Sequence, residues 1–374
     1  MSLSSNFGLF LNDTFERFLS DDEQLSSRKN LDRQAAFNSS RRMNLNESSY
    51  PPSPYVIEMM KSACAEVHRY PDPNWTEVTS RLSAYTGMPQ DRIVMASGSD
   101  EFIVAAGRIT LSPSTEVVAP APSFPSYYKA ARTNGAKLIS VPVRPDGAND
   151  VDNMLSKMTN ATRLVFAATP NNPTGAMMSA EDVERLAKSV PDNSLLILDE
   201  AYYEFAVQAG SAEHLEAMRC RRGPWAVFRT FSKAFGLAGI RVGYALCGSE
   251  QVYRAFQAVR SVFNVNLVAQ VAAEAALKDL GYMRNIVRKT LAEGFRLREG
   301  LIDLGCKPYP SAANFVTAST PLLADIVVDK LAQEGILISG INTAGFEKYI
   351  RVTIGTRNDT DAFLKALSRV IVEK

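Results

Sequence analysis

Histidine and cysteine are scarce in this chain, and their scarcity argues against most metal chemistry at once. The 374 residues include two histidines, His68 and His214, and four cysteines, Cys64, Cys220, Cys247 and Cys306. None of these stands at a spacing that would build a zinc site, so no metal is expected. The thiols are read as free, as in a reducing compartment. Net charge is also nearly absent, since 41 basic and 40 acidic residues leave +1. The chain therefore has neither the basic footprint of a nucleic-acid binder nor the polybasic patch of a membrane-surface protein. No apolar run approaches the roughly 20 residues that cross a bilayer. The N-terminus is polar and acidic around Asp21, Asp22 and Glu23, unlike a secretory leader, so the expected location is the cytoplasm. Internal repeats and low-complexity tracts are missing too.

What is present is a globular composition, 46% hydrophobic and 22% charged. The length suffices for a large core and two domains. The chain is organised around Phe228-Arg229-Thr230-Phe231-Ser232-Lys233-Ala234-Phe235-Gly236-Leu237-Ala238-Gly239-Ile240-Arg241. A lysine is ordinarily a solvated surface charge. Here Phe228, Phe231, Phe235 and Ile240 predict burial around Lys233, and a buried ammonium is costly unless paired or neutralised. A desolvated lysine with a depressed pKa is the amine that forms imines with carbonyl compounds.

Three other stretches end strands where a ligand could sit. Leu195-Leu196-Ile197-Leu198 reads as a fully buried parallel strand, and it delivers Asp199 and, a turn later, Tyr202. Open α/β sheets bind ligands at the carboxyl ends of their strands; the plainer reading of Asp199 is a helix cap. Leu164-Val165-Phe166-Ala167 leads into Ala168-Thr169-Pro170-Asn171-Asn172-Pro173-Thr174-Gly175, a turn made rigid by its prolines, with Asn172 restricted by Pro173. Arg92-Ile93-Val94-Met95-Ala96 is a strand, and Ser97-Gly98-Ser99-Asp100 then opens a helix. Free backbone N–H groups and the positive end of the helix dipole make that turn a phosphate seat.

Between about 90 and 250 strands and helices alternate, which predicts a mostly parallel, helix-covered sheet. Val56, Met59, Met60, Ala63 and Val67 predict one buried helix face before the proline-rich Tyr70-Pro71-Asp72-Pro73. Ser179 should cap a helix. Pro321 should start one that Gly335 ends. Asn358 and Asp361 are read as caps of the last helix.

Taken together, the lysine stretch with its arginine, the Pro-Asn-Asn-Pro-Thr-Gly turn and the Asp-Glu-Ala-Tyr strand end resemble the fold-type I pyridoxal-phosphate enzymes, the class I/II aminotransferases. Within them they are similar to the histidinol-phosphate aminotransferases, over about Asn44 to about Arg357. The resemblance implies an α/β fold with a large, mostly parallel domain and a smaller α/β C-terminal domain. The expected division is an arm at residues 1–43, a large cofactor-binding domain at 44–275 and a small domain at 276–374. The implied cofactor is pyridoxal 5'-phosphate, held as a Schiff base by Lys233. Asp199 would face the ring nitrogen. Tyr202 and Asn172 would bond the phenolic oxygen, and Phe124 would stack on the ring. Ser99, Asp100, Ser232 and Arg241 would grip the phosphate, with Thr230 nearby. Tyr70 would reach the phosphate of a neighbouring subunit, which implies a homodimer with shared active sites.

The substrate's anionic group is expected on Arg351, with Asn172 and Asn46 beside it. Ser339 stands about where the histidinol-phosphate enzymes carry a second arginine. The implied function is transfer of an amino group between histidinol phosphate, or an amino acid, and 2-oxoglutarate. Alternatives are an aromatic amino-acid aminotransferase, a decarboxylase of a phosphorylated amino acid and a non-enzymatic effector-sensing domain. The first 43 residues are too short and acidic for the DNA-binding module that such a sensing domain carries.

Overall fold

The computed structural model describes Thr14, residues 41–211 and residues 213–372. Most of the expected N-terminal arm therefore lies outside the described residues. The continuous chain opens with a two-residue strand, β1 (Arg41–Arg42), and then crosses the molecule to the helix Pro54–Ala63. Ser53 Oγ accepts the Val56 N–H to cap that helix, and Pro54 occupies its first turn, where the missing donor has no partner to lose.

The main sheet is built from β2 (Ile93–Ala96), β3 (Glu116–Ala121), β4 (Lys137–Pro142), β5 (Thr162–Ala168), β6 (Leu195–Asp199), β7 (Trp225–Thr230) and β8 (Gly243–Cys247). Its seven strands lie in the order β2-β8-β7-β6-β5-β3-β4. All run parallel except β8, which is antiparallel to both β2 and β7. The central strands are mostly apolar and buried, β6 along its whole length, as expected of a helix-covered parallel sheet. The chain leaves β3 toward β4 on one side and returns as β5 on the other. That reversal opens a crevice at the carboxyl edge, where doubly wound sheets bind ligands.

A second sheet follows. The remaining strands are β9 (Lys307–Pro308), β10 (Phe315–Ser319), β11 (Ile336–Leu337), β12 (Ser339–Gly340) and β13 (Tyr349–Thr353). Four of them form an antiparallel sheet in the order β12-β13-β10-β9, and β11 pairs in parallel with β1. Leu297, Leu301, Val316, Ile350, Val352 and Phe363 form a buried cluster here, distinct from the one around the main sheet. The helix Leu280–Asp303 spans both: Met283 and Val287 pack with the larger cluster, Leu297 and Leu301 with the smaller. Among the described residues no helix is long and apolar enough to cross a membrane.

Several local expectations shift. Val67 is 61% exposed, because the helix ends at Ala63 and a tighter turn at Cys64–Glu66 breaks the spacing that would have buried it. Ile240 is only half-buried. The helix after Pro321 begins at Ala324, so Leu323 lies just outside it and is exposed. The last helix, Arg357–Val372, is capped neither by Asn358 nor by Asp361. Thr356 and Asp359 cap it reciprocally: Asp359 Oδ2 accepts the Thr356 N–H at 2.9 Å and Thr356 Oγ1 accepts the Asp359 N–H at 3.4 Å. Asp361 instead pairs with Arg296 at 2.6 Å. Thr356→Ala should therefore cost about 0.5–2 kcal/mol of stability, read as a lower denaturation midpoint, whereas Asn358→Ala should leave the midpoint near wild type.

Candidate active site

The carboxyl edge of the main sheet and the crossing segment enclose a cavity of about 360 Å³, a normal size for a small-molecule site. Each wall is positioned by a strand end. β7 ends at Thr230, and the chain turns through Ser232 and Lys233 before Leu237 N–H bonds back to Phe231 C=O at 3.1 Å. Phe231 and Phe235, buried and 4.8 Å apart, anchor this turn in the core. Lys233 is thereby projected into the cavity, where Nζ donates to Asn46 C=O at 2.9 Å and Leu45 C=O at 3.4 Å. Burial, then the nearby Arg351 guanidinium, push its ammonium down to about 8. A neutral amine is the form that attacks a carbonyl. The rate at which apoprotein captures added pyridoxal phosphate should thus fall about tenfold per pH unit below 8 and level off above it. Stopped-flow absorbance at several pH values would check this, and a profile still climbing at pH 10 would contradict it.

β6 delivers Asp199, which is 6% exposed. Its two hydrogen bonds come from neutral donors: Tyr127 Oη donates to Oδ2 at 2.6 Å and the Ala201 N–H to Oδ1 at 3.1 Å. Burial pushes the carboxyl up to about 6 against these bonds. A desolvated carboxylate without a bonded cation is suited to a cationic ring nitrogen. Tyr202 also lines the cavity, and burial raises its phenol to about 12, so it stays a hydroxyl. Its oxygen accepts from Asn46 Nδ2 at 2.9 Å.

β2 leads through Gly98 into the helix Ser99–Thr110. Gly98 has φ +86°, and a Cβ there would lie 2.4 Å from Arg241 Nη2. Glycine is thus required by its backbone, and a side chain there would also push the guanidinium away. Arg241, just before β8, itself adopts φ 61°, an uncommon conformation for a side-chain-bearing residue that recurs at functional sites. The outcome is a guanidinium against an uncapped helix N-terminus, with Ser99, Asp100, Thr230 and Ser232 on the same wall. Thr230 Oγ1 bonds Ser232 Oγ at 3.0 Å. A phosphate fits this cradle by charge and by donor direction.

Phe124, after β3, and Asn172, after β5, flank the crevice. The peptide bonds Ala121–Pro122, Thr169–Pro170 and Asn172–Pro173 are cis. Arg351 comes from β13 of the smaller sheet. It donates through Nη1 to Asn172 Oδ1 at 2.6 Å and through Nη2 to Asn44 C=O at 2.6 Å, while its buried Nε has no partner. Ser339 sits directly across from Arg351 in the β12–β13 register, its Oγ 3.3 Å from Nη2.

Of the residues singled out from the sequence, Ser99, Asp100, Phe124, Asn172, Asp199, Tyr202, Thr230, Ser232, Lys233, Arg241, Arg351 and Asn46 all line this one cavity. Tyr70 does not. It is 81% exposed and stacks on Phe263 at 4.5 Å. Tyr127 was not singled out, although it stands three residues after Phe124 at the start of a helix, a spacing that places both on one face. Behind the cavity Glu200 is buried and paired with Arg229 at 2.8 Å and His214 at 3.1 Å. Burial alone would raise the Glu200 carboxyl, but these partners hold it below its usual range.

Comparison with known proteins agrees with this geometry. The chain is 33% identical to histidinol-phosphate aminotransferase 1 of Mesorhizobium japonicum over 87% of its own length and 89% of the relative's. It is 35% identical to the histidinol-phosphate aminotransferase of Moorella thermoacetica over 87% and 84%. The crystal structure of histidinol-phosphate aminotransferase from Sinorhizobium meliloti in complex with pyridoxal-5'-phosphate superposes with a TM-score of 0.89 at 28% identity, covering 99% of both chains. The family model for aminotransferase class I and II matches residues 41–367. The chain belongs to the class I and II aminotransferases, enzymes that use pyridoxal 5'-phosphate.

Proposed function

We propose that this aminotransferase moves an amino group between histidinol phosphate and 2-oxoglutarate, with Lys233 as its reactive amine. The observation that carries the reading is the meeting, in one cavity, of a lysine of lowered pKa, a cation-less buried aspartate, an anion cradle and a second, separate guanidinium. The relatives named above support the choice of substrate. Bound pyridoxal phosphate supplies the electron sink that stabilises negative charge at the substrate's α-carbon.

The chain's residues do the rest. Lys233 Nζ would hold the cofactor and, once freed, would carry the proton taken from the substrate's α-carbon. Asp199 would face the ring nitrogen and favour its protonated form. Tyr202 and Asn172 would steady the phenolic oxygen, and Phe124 would stack on the ring. Ser99, Asp100, Thr230, Ser232 and Arg241 would hold the phosphate, while Arg351 would orient the substrate's anionic end beside Asn172 and Asn46. Tyr70 is assigned to the site of a second copy in a homodimer, in keeping with its exposure here. We likewise assign residues 44–275 to a cofactor-binding body and 276–374 to a smaller one; two buried clusters support two bodies, although the larger cluster runs on through Ala276, Leu277, Met283 and Val287.

One observation favours a second reading. With Ser339, not a second cation, facing Arg351, the pocket also suits a single carboxylate, as in an aromatic amino acid. Holoenzyme mixed separately with histidinol phosphate, phenylalanine, tyrosine, glutamate and threonine phosphate, without a keto acceptor, decides between them. Histidinol phosphate should bleach the visible band fastest; an aromatic donor doing so would replace the first reading, and carbon dioxide release would point to a decarboxylase. For the true donor, Arg351→Ala should lower kcat/KM by about 10- to 150-fold, the worth of charge-assisted hydrogen bonds.

A further inference from the structure

The shorter of the two hydrogen bonds to the Asp199 carboxylate comes from a residue with no role in the scheme above. Tyr127 lies on the helix Pro125–Thr133 and is fully buried. Its ring stacks on Phe166, centroids 4.4 Å apart and planes 11° apart, and meets Phe124 edge-on at 6.0 Å. Packing thus leaves the phenol little freedom, and it points Oη at Asp199 Oδ2, 2.6 Å away. A buried hydroxyl needs a partner, and a carboxylate is the strongest acceptor available to it. Phe124 and Tyr127 therefore tie the ring-covering wall and the acid to one rigid helix turn.

Other groups around the carboxylate offer it less. Glu200 and Asp100 are like charges that disfavour its ionised form. Tyr202 donates no hydrogen bond to it, and its oxygen is engaged with Asn46. Lys233 bonds the carbonyls of Leu45 and Asn46. Tyr127 is accordingly the only side chain among the described residues that hydrogen-bonds Asp199.

We propose that Tyr127 is a positioning residue for the cofactor: its phenol locks the Asp199 carboxylate in place and favours its ionised form, so that the acid is ready for the ring nitrogen before the cofactor arrives. The inference rests on the reading that Asp199 faces that nitrogen.

The test is cofactor affinity, not turnover. The dissociation constant of pyridoxal phosphate from full-length apoprotein is measured between pH 5 and 9 for wild type, Tyr127→Phe and Tyr128→Phe. Tyr128 is the matched control, because its hydroxyl bonds Pro120 C=O and the Ser123 N–H at the foot of the same helix and not Asp199. Y127F should weaken binding about tenfold on the acid side and move the midpoint of the profile up by about one pH unit, with the difference vanishing at high pH. Y128F should follow wild type. A Y127F profile parallel to wild type, whether unchanged or uniformly weaker, would show that Tyr127 only packs. If Y127F does not fold, 3-fluorotyrosine at position 127 keeps the shape with a more acidic phenol and should move the midpoint down; no movement overturns the proposal. Wild-type protein that fails to bind the cofactor, or Asp199→Asn that binds it as tightly as wild type at every pH, would instead remove the site reading itself.

Discussion

Lys233→Ala is expected to lower kcat/KM for transamination by roughly 10,000-fold or more, because it removes both the covalent attachment point and the proton carrier. No other amine can take over easily. Arg241 lies against Gly98 at the helix N-terminus and Arg351 bonds Asn172 and Asn44, and a guanidinium does not deprotonate near neutral pH. The loss should come without loss of fold. The ammonium is held below its ordinary value by burial, so removing it relieves a desolvation cost, and the thermal midpoint of the apoprotein should stay put or rise. Borohydride reduction of wild-type holoenzyme followed by peptide mass analysis should find the added mass on the peptide containing Lys233. Tagging of a different lysine, with Lys233 unmodified, would end the assignment.

Asp199→Asn is the second large effect. The exchange keeps shape and removes charge. In the holoenzyme it leaves a ring cation without its buried counter-ion, which should cost about 3–5 kcal/mol, or roughly 150- to 5,000-fold in kcat. In the apoprotein the sign reverses. The folded carboxyl titrates at about 6, above its ordinary value, so the native state binds the extra proton and this group's contribution to stability is present at low pH and lost as pH rises through about 6. Apo Asp199→Asn should therefore be more stable than apo wild type above pH 6, whereas with cofactor the order inverts. Thermal melts of both proteins, with and without pyridoxal phosphate, test the inversion; a variant less stable than wild type in the apo form at pH 8 would show that Asp199 serves the fold rather than the cofactor.

Much of the site was legible in the sequence because strand ends announce themselves. An apolar run that stops at Asp199, another that stops at the Pro170–Pro173 turn and a lysine set among phenylalanines each carry a local signal, and the parallel sheet brings such ends to one edge. Helix limits were less legible. Val67 obeys the helical spacing of its neighbours, yet a tight turn at Cys64–Glu66 turns it out to solvent. Asn358 and Asp361 are good capping types, but Thr356 and Asp359 reach the free N–H groups first and Asp361 finds Arg296. Local chemistry offers several competent caps, and packing selects among them.

Read alone, the sequence determined the class of fold and pointed to Lys233, Asp199 and Arg241, which the structure brings to one cavity, because hydrophobic periodicity and residue type are properties of the chain itself. Only the tertiary structure decided which distant groups touch: that Tyr127 bonds Asp199, that the carbonyls of Leu45 and Asn46 receive Lys233, and that Ser339 lies across from Arg351. Those contacts join residues 12 to 188 positions apart, and their partners are set by how the sheets and the crossing segment pack.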